Sequence, residues 1–177
     1  LDSLPDWLPK RQMTLGLDLQ GGSHILLRLE RQDLINERIE TILDEIRRLL
    51  REERIGYTGL SASGTSVQVR IRDAGQVTEA RQALAELTEP LSAGFLGGSI
   101  IRELDLEEPE PGLLRFTLTA AGLDYRLTSA LTQSIEVVSR RVNELGTTEP
   151  VIQRQGNDRI LVQVPGLENP QRLKDIL

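Results

Sequence analysis

Twice this chain reads helix, glycine, strand, glycine-centred turn, strand, helix, and that recurrence constrains its fold more than any other feature. The first pass runs through a helical stretch to Gly56, then Tyr57–Ala62, the turn Ser63-Gly64-Thr65, Ser66–Arg72, and a helix after Asp73. The second runs from about Ala121 to Leu145, then Gly146, Glu149–Gln153, the turn Gln155-Gly156-Asn157-Asp158, Arg159–Val164, and a helix opening near Asn169-Pro170. Each second strand contains Val-Gln-Val, at Val67-Gln68-Val69 and again at Val162-Gln163-Val164.

The apolar run Ile25–Leu29 precedes the first helix, and the alternating Leu114, Phe116 and Leu118 precede the second long one. Adding these strands gives βαββα twice, and a strand over Ile100–Leu106 closes the first pass as βαββαβ. That order is the ferredoxin-like arrangement. The expected fold is therefore α+β, with two ferredoxin-like units in tandem and the second lacking its last strand. The expected boundaries are an extended lead-in over 1–14, a first unit over 15–106 and a second, truncated unit over 113–177. A sheet without its closing strand presents an open edge, which invites pairing into a dimer.

Individual elements have their own signals. Ile35, Ile39, Ile42, Ile46 and Leu49 step by four and three, with Leu43 and Leu50 widening the stripe and charged residues opposite. Asp33 is the expected N-cap, Asp44 and Arg48 an i,i+4 ion pair, and Gly56 the left-handed terminator. Val67, Val69 and Ile71 alternate with Gln68, Arg70 and Arg72, as in a half-buried antiparallel strand. Asp73 and Gln76 form a capping-box pattern before Val77, Ala80, Leu84 and Leu87, and Pro90 stops that helix. Glu107-Glu108-Pro109-Glu110-Pro111-Gly112 reads as an acidic turn, too rich in proline to extend a ladder.

Composition excludes several function classes. Of 177 residues, 27 are acidic and 21 basic, and only five are aromatic. A nucleic-acid binder needs a basic face and stacking platforms, and neither is on offer. Zero cysteine removes disulfides, thiolate nucleophiles and cysteine-ligated metals, and one histidine leaves triad and imidazole-metal chemistry almost without material. No run of roughly 18 apolar residues is present, so the chain as given does not span a membrane as a helix. With no initiator methionine or secretory leader pattern, it reads as a piece of something longer. Nineteen of the 21 basic residues are arginine, which favours planar, multi-donor contacts over point charges.

The motifs themselves point away from catalysis. Leu15-Gly16-Leu17-Asp18-Leu19-Gln20-Gly21-Gly22 is glycine-rich, but its glycines precede a strand and no Gly-Lys-Ser/Thr follows. A phosphate-cradling loop needs its amides at a helix N-terminus, so a tight turn or bulge between strands is the plainer reading. His24 has no second histidine to share a metal, and the Glu107–Glu110 carboxylates lack the alternating ligand spacing of a calcium loop. Arg140 and Arg141 suit the C-terminal end of a helix dipole. Glu149, Arg154, Gln155 and Asp158 flank the second hairpin and suit a polar network or a partner surface. No serine has a recognisable base. No catalytic residue, cofactor or metal is expected.

Three segments together resemble the SecD family of bacterial protein-export subunits. The first is Leu15-Gly16-Leu17-Asp18-Leu19-Gln20-Gly21-Gly22. The second comprises Arg141, Asn143, Leu145 and Gly146, then Glu149-Pro150 and Gln153-Arg154-Gln155-Gly156. The third runs from Arg159 to Pro165-Gly166. Thr147-Thr148 depart mildly from the small apolar residues that the family often carries there.

The resemblance implies a non-enzymatic segment on the periplasmic face of the bacterial inner membrane. It would begin just after a first membrane helix, in a multi-pass parent akin to the RND-type transporters. The implied partners are SecF, the SecYEG channel and the translocating polypeptide, with proton-motive force driving export. The matched motifs are expected to be structural, fixing turns and strand ends. The alternative is a ferredoxin-like module that senses a small molecule.

Overall fold

A computed structural model describes residues 22–92, 100–144, 150–167, 169, 171, 174 and 175. Along the chain run β1 (Gly22–Arg28), α1 (Arg31–Glu52), β2 (Tyr57–Ser63), β3 (Ser66–Ile71) and α2 (Val77–Ala83). They are followed by β4 (Pro90–Ser92), β5 (Ile101–Arg102), β6 (Leu104–Glu110), β7 (Leu113–Leu118), α3 (Ala120–Asn143), β8 (Val151–Gln155) and β9 (Arg159–Pro165). Short 3-10 turns at Ala74–Gln76 and Leu84–Thr88 flank α2. The chain divides into two compact units, one built from 28–132 with 156–158, the other from the segments on either side of that block. The first half of α3 belongs to the larger unit and its second half to the smaller.

In the larger unit a four-stranded antiparallel sheet has the order β2-β3-β7-β6. Alternation decides which face each strand buries: Val67, Val69 and Ile71 of β3 pack inward with Leu114, Phe116 and Leu118 of β7. The apolar stripe of α1 completes this core, with Ile42, Ile46 and Leu50 wholly buried, and Ala80, Leu84 and Leu87 close it from the α2 side. Each fully buried Leu or Ile contributes about 1.5–3 kcal/mol, so this helix-on-sheet layer supplies most of the unit's stability. The opposite face of the sheet is polar, with Ser66 and Thr117 hydroxyls 2.9 Å apart across β3 and β7.

The smaller unit holds a three-stranded sheet of order β1-β9-β8. β8 and β9 form an antiparallel hairpin from Val151↔Gln163 to Gln155↔Arg159. Ser23, at the start of β1, is buried and donates its hydroxyl to the carbonyl of Leu167 at 2.5 Å. Leu29 N–H donates to the Asp158 carbonyl at 2.7 Å, both residues belonging to the larger unit, so β1 runs opposite to β9. Ile160, Val162 and Val164 are the buried positions of β9.

The architecture is α+β as expected, but the strands are shared out differently from the expected tandem. β1, assigned from sequence to the unit of α1, β2 and β3, lies in the sheet of β8 and β9. The place beside β3 is taken by β7, which had been assigned to the later unit. Two strands with similar apolar alternation have exchanged sheets, because alternation fixes the buried face and leaves the partner open.

Smaller departures have local causes. α1 opens at Arg31, so Asp33 sits in its first turn and makes no cap. Its left-handed terminator is Arg54 (φ 56), not Gly56, and Ile55 N–H reaches back to the Leu50 carbonyl at 2.8 Å in a Schellman closure. Asp44 pairs with Arg47 at 2.6 Å, while Arg48 turns to Glu52 and Glu86. The stretch Glu107–Glu110 continues β6 rather than leaving it, since β6 is an edge strand and its register shifts between Glu107 and Glu110, a site that tolerates Pro109. Asp73 does cap, accepting from Gly75 N–H at 2.9 Å.

Candidate functional site

The signature residues fall into two groups. Leu15, Gly16, Leu17, Asp18, Leu19, Gly21, Leu145, Gly146 and Glu149 lie outside the described residues. The others lie among the described residues. Gly22 opens β1, and Arg141 and Asn143 are exposed in the last turn of α3. Pro150 precedes β8, which carries exposed Gln153, Arg154 and Gln155. Arg159 opens β9, and Pro165 ends it.

The sheet gathers what the sequence separates. β1 follows the first signature, β8 carries part of the second and β9 the third, and all three lie in one sheet with β9 central. Two glycines fix its turns. Gly156 (φ 72) lets β8 reverse into β9, and Gly166 (φ 74) turns the chain out of β9. Both positions are left-handed, where a side chain costs about 1–2 kcal/mol. Arg28 lies 3.8 Å from Asp158 of the β8–β9 turn. Past this sheet, Asn169 Oδ1 accepts from Gln171 N–H at 2.9 Å, the bond of a helix N-cap.

A second constellation, unanticipated from sequence, lies within the larger unit. Glu103 stands between β5 and β6, is 2% exposed, and is one of two buried polar residues among those described. Arg38 of α1 donates from Nε to Oε1 at 2.7 Å and from Nη2 to Oε2 at 3.1 Å. Arg126 of α3 donates from Nε to Oε1 at 2.9 Å and from Nη2 to Oε2 at 2.7 Å. Both carboxylate oxygens therefore receive two guanidinium hydrogen bonds, the strongest protein donors for this acceptor. Glu45 joins from α1, 3.3 Å from Arg38 Nη1.

Burial alone would push the Glu103 carboxyl up, and it is the largest single influence. The hydrogen bonds from Arg126 and Arg38 and their charges together outweigh it, and hold the group below the usual carboxylate range. Arg38 moves the opposite way: burial would lower it, but Glu103 and then Glu45 raise it. A carboxylate locked in its ionised form between two permanent cations is a poor proton shuttle and a good anchor.

The backbone beside Glu103 is anchored too. Thr119 accepts Gly122 N–H on its hydroxyl at 2.9 Å, capping α3, and donates that hydroxyl to the Arg102 carbonyl at 2.6 Å. Thr119 N–H donates to the Glu103 carbonyl at 2.9 Å. The sequence signal for this cluster was present but diffuse. Thr119, Gly122 and Arg126 share one helix face at spacings of three and four, and an acidic residue interrupts the apolar strand before Leu104.

Other candidates carry no chemistry. An open cleft of about 620 Å³ is lined by residues including Thr88, Arg102, Asp105 and Glu107, with no nucleophile and base in contact. The acidic stretch after Leu106 is spent on arginines: Glu108 pairs with Arg81 at 2.6 Å, and Glu110 with Arg70. His24 is exposed in β1. Among the described residues no three His, Asp or Glu side chains converge on a metal-sized site, and no helix is long and apolar enough to cross a membrane.

Comparison with known proteins gives a consistent result. Residues 131–177 match the family described as Protein translocase subunit SecDF, P1 domain, N-terminal, and residues 7–33 match the SecD/SecF GG motif. A Protein translocase subunit SecD of Acetobacter pasteurianus is 34% identical over 172 residues, covering 96% of this chain and 31% of that subunit. The subunit of Rickettsia conorii is 36% identical over 174 residues, covering 97% of this chain and 30% of the relative. That of Pseudomonas aeruginosa is 34% identical over 176 residues, with 98% and 27% covered. The chain thus spans less than a third of the length of each of these relatives. No solved structure matches it.

Proposed function

The chain belongs to the SecD family, and from that membership we propose that it works as a non-enzymatic periplasmic segment of a SecD subunit, assisting export through the Sec channel. One observation carries this reading. Strands that follow or carry the three signature regions meet in a single sheet, which supports a structural role for those regions over a ligand pocket. In the full-length protein, SecF, the SecYEG channel and the translocating polypeptide are the partners, at the periplasmic face of the inner membrane.

On this reading both units follow a ferredoxin-like strand order, with their opening strands exchanged. In the smaller, β1, the second half of α3, β8 and β9 make a β-α-β-β series with β9 between its partners. In the larger, α1-β2-β3-α2-β6-β7 is the same cycle begun one element later, with β7 filling the place beside β3. Helix-on-sheet units of this kind are stiff, which suits a part that transmits motion.

Alanine at Asp18, Arg154 and Gln155 in the full-length membrane protein tests the proposal, with export of a secreted reporter measured beside subunit abundance. Export should fall together with subunit abundance or protease resistance, since the signatures shape the fold. Unchanged export with unchanged abundance would overturn the role given to these signatures.

A further inference from the structure

We propose that Arg126 and Glu103 form an ionic latch holding the first two turns of α3 to the β5–β6 junction, so that local release of this helix segment from that junction requires a charge contact to break. The inference rests on geometry within the larger unit and does not depend on the proposed export role.

Little of this segment enters the core of the four-stranded sheet. Among the described residues, Leu123 is the one residue of α3 in the core cluster with β3, β7 and α1; Gly122 and Leu127 are buried as well, Leu127 outside that cluster. Ala120, Ala121, Asp124 and Tyr125 are exposed. The ties to the β5–β6 junction converge on two consecutive residues: Thr119 on the backbone of Arg102 and Glu103, and Arg126 on the Glu103 carboxylate. Segments joined by few apolar contacts open locally at lower free energy than the core strands.

The two arginines are not equivalent. Arg38 comes from α1, whose stripe of buried isoleucines keeps it in place whether or not the ion pair forms. It also has a second carboxylate, Glu45. Arg126 comes from the weakly anchored segment, and its side chain is 40% exposed, against 17% for Arg38. The Arg38–Glu103 pair is thus a fixed half-site, and Arg126 is the half that engages or leaves. When it leaves, Glu103 keeps its bidentate partner, so the open state strands no buried unpaired carboxylate. That asymmetry separates a releasable contact from mere glue.

Hydrogen exchange on the full-length membrane protein, resolved by peptide, tests this with Arg126→Met, which keeps the length of the side chain and removes the charge. Exchange over 120–127 should rise at least tenfold while β3 and β7 stay unchanged. Arg126→Lys, which keeps charge but loses the planar fork, should fall between the two, and Arg38→Met should leave 120–127 less affected than Arg126→Met does. A uniform rise across β3, β7 and α3, or no rise at all, would overturn the latch. Should Arg126→Met fail to accumulate, the lysine variant read alone decides the matter: a rise confined to 120–127 supports the latch, and a uniform one refutes it.

Discussion

A Cβ placed on Gly122 would lie 2.6 Å from the Cα of Glu103. That approach is backbone on backbone, since the Arg102 carbonyl oxygen would be 3.0 Å away as well, so neither side can yield by rotating a side chain. Gly122 thus lets α3 sit close enough for Arg126 to grip the carboxylate with both of its donors.

Gly122→Ala should therefore destabilise the chain by about 2–3 kcal/mol, because overpacking against backbone exceeds the gain in helix propensity of about 1 kcal/mol. Urea unfolding followed by circular dichroism checks this. An unchanged midpoint would contradict the close approach.

Glu103→Gln keeps the size of the side chain and removes its charge, leaving two guanidinium groups facing an amide. Breaking a buried pair costs about 3–5 kcal/mol. The partial exposure of Arg126 places the expected loss toward 3 kcal/mol. Replacing the three partners together by Met, Leu and Met should recover most of it in the same unfolding assay.

Stability should also fall in acid through the same residue. The folded-state pKa of Glu103 is depressed, so in the window below the unfolded carboxyl value the unfolded chain binds the extra proton. The stabilisation is fully present above that unfolded value, near 4.3 for Glu, and is lost as pH falls through the lower folded value. Urea midpoints from pH 6 downward should drop more steeply below about pH 4.3 in the parent than in Glu103→Gln. Parallel profiles would sink the assignment.

Arg54 holds a left-handed conformation at φ 56, which a side chain tolerates only at a cost. Arg54→Gly should raise stability by about 0.5–1 kcal/mol, the relieved strain exceeding the entropy that glycine adds to the unfolded chain. A rise in thermal midpoint of a few degrees is the expected readout.

Phe116→Ala should cost about 4 kcal/mol, since the ring is wholly buried between β3, β6 and α1 and leaves a cavity with little room to collapse. Equilibrium unfolding of the variant gives the value directly.

Much of this was readable along the chain. The α1 stripe of Ile35, Ile39, Ile42, Ile46 and Leu49 is buried as its spacing required, and both Val-Gln-Val strands bury their valines. The Gly64 and Gly156 turns close the hairpins that they punctuate. Capping at Asp73 was legible because a cap needs only neighbours two and three residues away. The Glu103 cluster was not, because its arginines come from positions 65 residues earlier and 23 later. Nothing about Arg38 or Arg126 alone distinguishes them from the other arginines on helix faces.

What the sequence determined by itself was local: which stretches are helix or strand, which face of each is apolar, and where the chain turns. These follow from periodicity and from backbone preference within a few residues. Only the tertiary structure decided that β1 joins β9 while β7 joins β3, and that Glu103 is the point at which two helices meet a strand. Alternation selects a buried face but not a partner. The entropy of closing a longer loop rises by only about 0.6 kcal/mol per doubling, so the nearer strand has little advantage over the better-packed one.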